Sequence, residues 1–70
     1  QSVVYGHVHN AEGRILRLSG PATRKRTLPA DGHFRFIRLP AGVYTLEIRD
    51  SDLQYHGIVL DGHNQAEVNL

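Results

Sequence analysis

Five histidines, seven carboxylates and one short run of cations are the side chains through which this chain could do chemistry. His7-x-His9 places two imidazoles on one face of an extended segment, a spacing that holds Zn²⁺ or Cu²⁺ when a neighbouring strand adds a third ligand. The chain has no cysteine, and no carboxylate of suitable spacing joins the pair, so no metal is expected. Nucleophilic catalysis needs a hydroxyl beside a base and a third group to orient that base. Ser2, Ser19 and Ser51 lie at the terminus or in turn-like surroundings, none in a Gly-x-Ser-x-Gly setting. Ser51-Asp52 with His56 reads as loop chemistry, and Asp50 and Asp52 as ordinary surface acids rather than a glycosidase pair. A domain this small is also expected to lack a substrate cleft of roughly 300 Å³ or more. The chain is therefore read as a non-enzyme with no catalytic residues and no cofactor.

Binding chemistry has more candidates. Thr23-Arg24-Lys25-Arg26-Thr27 could contact the phosphates of nucleic acid or an anionic polysaccharide. No aromatic is interleaved with it and the net charge is only +1, so nucleic acid is not an expected partner and the run reads as a solvated edge strand. A glycan surface needs exposed aromatic platforms. There is no tryptophan and Tyr44 is assigned to the core, which leaves Tyr5, beside His7 and His9, and Tyr55. A self-formed isopeptide cross-link, with Asn69 and Glu47 in two of its roles, lacks a lysine on the first strand, because the only lysine is Lys25.

The elements that must position these groups are strands. Gly and Pro interrupt the chain every eight to twelve residues and no apolar stripe of period 3.6 survives. Period-two alternation recurs instead: Val4, Gly6 and Val8 on one face of a first strand, Tyr5, His7 and His9 on the other. Ile15 to Leu18 predicts a second strand with Leu16 and Leu18 inward, and Arg24 to Leu28 a short third at an edge, where charge and Pro29 discourage further pairing. Phe34 and Phe36 alternate with charge, Leu39-Pro40-Ala41-Gly42 turns the chain, and Tyr44, Leu46 and Ile48 alternate again. Phe34 to Ile48 is thus expected to form one hairpin and one core. Asp50 to Tyr55 reads as a connection, Ile58 to Leu60 as a sixth strand, and Ala66, Val68 and Leu70 as the inward face of a seventh. Seven short strands with evenly spaced turns predict an all-β sandwich or barrel.

Seventy residues make one domain, 1–70, with a core small enough that stability is expected to be only a few kcal/mol. No apolar run approaches the roughly 20 residues that cross a bilayer as a helix, so membrane insertion is not expected. The chain opens on Gln1 and has no methionine, which reads as a piece excised from a longer protein. Charge is unevenly placed: Gly13 to Arg38 holds seven cations against Asp31, a balance of +6, and the remainder sums to −5. Complementary pairing between strands of the two segments is the simplest account of that division.

The order Gly6-x-Val8, Glu12-Gly13, Asp31-Gly32-x-Phe34-x-Phe36, Leu39-Pro40-Ala41-Gly42-Val43-Tyr44-Thr45-Leu46 and Ala66-Glu67-Val68-Asn69-Leu70 resembles the carboxypeptidase regulatory-like domains over essentially the whole chain. The resemblance implies a seven-stranded antiparallel Greek-key-type β-sandwich of transthyretin-like (prealbumin-like) fold. It also implies an accessory role: a structural or interaction module docking against neighbouring domains of the same chain or another protein, in an extracellular, cell-surface or periplasmic setting. Val3, Tyr5 and Val59 are the contact residues that role predicts, and a carbohydrate-binding module is the alternative. Gln54-Tyr55 stands where the family often has Gly-Tyr, and the basic segment between the second and fourth strands is unusually compact.

Overall fold

The computed structural model describes residues 1–70 and contains seven strands and no helix. Strands β1 (Ser2–His7), β4 (His33–Leu39) and β7 (Gln65–Asn69) form a three-stranded sheet in the order β4-β1-β7. Strands β2 (Ile15–Ser19), β3 (Arg24–Thr27), β5 (Gly42–Ile48) and β6 (Gln54–Leu60) form a four-stranded sheet in the order β3-β2-β5-β6. The sheets sandwich one core of 15 buried hydrophobic residues.

Alternation places the inner face where the sequence predicts it. Ser2, Val4, Gly6 and Val8 are buried, as are Leu16 and Leu18 on β2 and Tyr44, Leu46 and Ile48 on β5. Phe34 and Phe36 join the same core with ring centroids 5.9 Å apart. β3 is an edge strand with every residue exposed, as its charge predicts, while Leu28 just beyond it is buried.

The expected hairpin from Phe34 to Ile48 is overturned. β4 pairs with β1, whereas β5 pairs with β2 and β6, so Pro40-Ala41 carries the chain from one sheet to the other. The aromatic and aliphatic side chains of the two strands share a core by facing one another across it. Two local features hold this corner: the Tyr44 hydroxyl donates to the Pro40 carbonyl at 2.8 Å, and Gly42 lies so close to the Pro21 ring that a Cβ would overlap it.

Two further corrections concern pairing. An antiparallel sandwich was expected, but β1 and β7 run parallel, from Val3 opposite Gln65 to His7 opposite Asn69, while the other four pairings are antiparallel. The Asp61–Asn64 connection crosses between the sheets, so β7 enters the three-stranded sheet running in the direction of β1. β6 also begins at Gln54 rather than Ile58. Its first four residues are exposed, which leaves no alternation to read; pairing with Glu47 and Leu46 makes them strand.

β4 carries an irregularity the sequence reading did not anticipate. Between the pairs Val4–Phe36 and Ser2–Leu39 it has one residue more than β1, and Arg38 there takes a φ of 57°. The extra residue lets Phe36 and Leu39, three apart, both point inward, and turns Ile37 and Arg38 outward together.

Candidate functional site

The outer face of the three-stranded sheet carries Tyr5 at its centre. Pairing sets Arg35 of β4 on one side of Tyr5 and Glu67 of β7 on the other. His7, Gln65 and Asn69 extend the same surface, which forms an open, shallow depression of about 590 Å³. That exceeds the volume expected of so small a domain, although it is a trough on a sheet face rather than an enclosed cleft.

His7 and His9 lie near one another, with ring centroids 6.4 Å apart, and sheet pairing adds a third imidazole that the sequence reading did not assign. His33 sits opposite His7 on β4 with ring centroids 5.0 Å apart. Asp31 stands beside His33, its Oδ1 accepting from the His33 backbone N–H at 3.0 Å and its Oδ2 3.5 Å from Nδ1. The backbone hydrogen bond, helped by the charges of His33 and His7, holds the Asp31 carboxyl below its ordinary value. No three His, Cys, Asp or Glu side chains are grouped to hold one metal ion.

The candidate nucleophiles are engaged locally. Ser2 is fully buried on the inward face of β1; its hydroxyl donates to Asn64 Oδ1 at 2.8 Å and accepts from the Gly62 N–H at 2.9 Å, tying the first strand to the β6–β7 turn. Its alternation with Val4 was the signal that it is core rather than terminus. Ser51 Oγ accepts from the Leu53 N–H at 3.2 Å, closing its own turn, while His56 Nδ1 lies 3.3 Å from Thr45 Oγ1. Asp50 and Asp52 occupy the exposed β5–β6 turn. Lys25 on β3 and Asn69 on β7 belong to different sheets, so the cross-link roles are not brought together.

Three of the five large exposed apolar residues, Val43, Tyr55 and Val59, lie on β5 and β6 away from Tyr5, with Ile37 on β4 and Leu53 in the β5–β6 turn. Val43 of β5 and Val59 of β6 are direct cross-strand partners, 59% and 65% exposed, and Tyr55 is exposed further along β6. Val3 and Tyr5 lie on the other sheet, so the predicted contact residues form two surfaces rather than one. β6 is also the one edge strand with neither proline nor a formally charged residue; β3, β4 and β7 each carry at least one charge.

Of the cations, Arg17 pairs with Glu47 at 3.8 Å across β2 and β5, both partly exposed, an arrangement typically worth less than about 1 kcal/mol. Arg14 Nη1 donates to the Asp50 carbonyl at 3.2 Å. Cross-strand complementation thus accounts for one pair only. No protein-family profile matches the chain. No curated protein shows significant similarity to it.

Proposed function

We propose that the chain is a non-catalytic interaction module of the carboxypeptidase regulatory-like, transthyretin-like type, with Greek-key connections, carried by a longer secreted or surface protein. Its partner is an adjoining domain of that protein, seated over the Val43–Val59 patch and the free edge of β6. The observation that carries this reading is the pair of valines, each more than half exposed, beside an uncharged edge strand. β6 is blunted only by a bulge, an extra residue between its pairs with Tyr44 and Leu46 where Gly57 takes a φ of 74°, and exposed apolar surface beside an edge without charge or proline marks contact sites. The test compares hydrogen exchange in the 70-residue chain and in the longer protein that carries it. Protection of amides 54–60 in the longer protein, lost on Val43→Ser/Val59→Ser, is the expected result. Equal exchange in both contexts sinks the docking role.

A second reading rests on Tyr5. An aromatic ring flanked in register by Arg35 and Glu67, with Gln65 and Asn69 beside it, combines a stacking face with hydrogen-bonding groups, as a neutral-sugar site does. Amide shifts on β1, β4 and β7 in a neutral glycan panel, abolished by Tyr5→Ala, support it. Silence across the panel removes it.

A further inference from the structure

We propose that the open side of the sandwich, between edge strands β3 and β4, is a binding groove for an acidic polysaccharide. The two strands belong to different sheets and do not pair, yet both edges lie on one side of the molecule and together line two shallow depressions of about 310 Å³ each. β3 contributes Arg24, Lys25 and Arg26, and β4 contributes Arg35 and Arg38. All five are exposed and no carboxylate lines either depression. None of the five is in an ion pair, and Arg24 Nη1 only donates to the neighbouring Thr23 carbonyl at 3.2 Å.

The placement of these side chains exceeds what edge protection requires. Arg24 and Arg26 pair with Leu18 and Leu16, whose side chains point into the core, so both arginines sit on the inner side of β3 and reach over the open side. One inward charge is enough to block strand addition. Here a second sheet adds Arg38, turned outward by the extra residue in β4 and held at a φ of 57°, a backbone conformation that side chains disfavour. Residues two apart on a strand are spaced by about 7 Å, which presents guanidinium forks in a row suited to carboxylate or sulfate groups along a linear chain.

Charge on the rest of the molecule points the same way. The opposite side, formed by β6, β7 and their turns, carries Asp50, Asp52, Asp61 and Glu67 against Arg49 alone. The chain is nearly neutral overall but polarised across its width, a field that orients an approaching polyanion toward β3 and β4. A polysaccharide fits better than nucleic acid because the groove offers little stacking surface: Phe34, Phe36 and Tyr44 are buried, Tyr5 and Tyr55 lie on other faces, and the His33 imidazole is the one exposed aromatic ring at its rim. The proposal uses different residues from the Val43–Val59 surface and survives its failure.

The test titrates the 70-residue chain with a heparin-derived hexasaccharide, an oligogalacturonate, a neutral cello-oligosaccharide and an oligothymidine, at low and at physiological salt, followed by amide shifts. An acidic oligosaccharide is expected to bind, to shift residues 24–26 and 35–38, and to weaken with salt; sulfated and carboxylated probes separate the two anion types. Arg24→Gln/Arg26→Gln/Arg38→Gln should weaken binding about tenfold or more and flatten its salt dependence. Arg14→Gln/Arg49→Gln, on the outer face of the four-stranded sheet, should leave it unchanged. Absence of binding by both acidic glycans at low salt, an equal loss in the control pair, or tighter binding of oligothymidine than of either glycan overturns the assignment.

Discussion

Tyr44 is fully buried, yet its hydroxyl reaches the Pro40 carbonyl at 2.8 Å, so one side chain serves both the core and the corner between sheets. Burial pushes its ionisation above 10.0, with the nearby Arg24 charge opposing, which means the folded chain holds the phenolic proton more tightly than the unfolded chain. That contribution to stability is complete below pH 10.0 and is lost as pH rises through the folded-state value. Tyr44→Phe should abolish this alkaline loss and cost about 1–2 kcal/mol at neutral pH, both readable from urea unfolding across pH. Arg38 presents the opposite case. Its left-handed backbone suits glycine, so Arg38→Gly should stabilise the chain by about 0.5–1 kcal/mol in the same assay while removing a cation from the β3–β4 groove. A destabilised Arg38→Gly variant would show that the side chain contributes to packing instead.

At the scale of elements, the parallel pairing of β1 and β7 depends on how closely the two backbones approach at Gly6. A Cβ there would overlap the Val68 carbonyl, so any side chain must push β7 away from β1. Gly6→Ala should therefore cost about 3 kcal/mol or more and should selectively deprotect amides 65–69 in hydrogen exchange. Uniform loss of protection would instead mean that β7 unfolds only with the whole sandwich. The edges show a division of labour: β3, β4 and β7 carry charge against strand addition, and β6 does not.

For the molecule as a whole, 15 buried hydrophobic side chains and no disulfide must supply the stability. Leu46 is fully buried at the centre of β5, between β2 and β6. Leu46→Ala, expected to cost about 2–5 kcal/mol, removes most of a margin of a few kcal/mol and should leave the chain largely unfolded at 37 °C by circular dichroism. A cooperative transition well above that temperature would mean that the core carries more than its size suggests. Charge is also a property of this scale. Strand order brings five of the seven cations between Gly13 and Arg38 to the β3–β4 side, leaves Arg14 and Arg17 on the outer face of the four-stranded sheet and sends four of the seven acids to the β6–β7 side, so a sum near zero conceals a polarised molecule.

The sequence by itself determined the class of the elements and the inward face of nearly every strand, because period-two alternation reports burial directly: Val4, Leu16, Leu18, Tyr44, Leu46, Ile48 and Val68 are all core. It also identified β3 as an edge from its charge. Alternation is blind to which strand lies alongside and which lies across the core, so it could not separate a hairpin from a corner at Pro40-Ala41, nor parallel from antiparallel at β7. The candidate surfaces were legible only as fragments. His7 and His9 were visible, but His33 joins them through the β1–β4 register; Arg24 to Arg26 were visible, but Arg35 and Arg38 come near them only through the packing of one sheet over the other. Local pattern encodes burial, whereas residues distant in sequence become neighbours through the order of strands, and that order the tertiary structure alone decided.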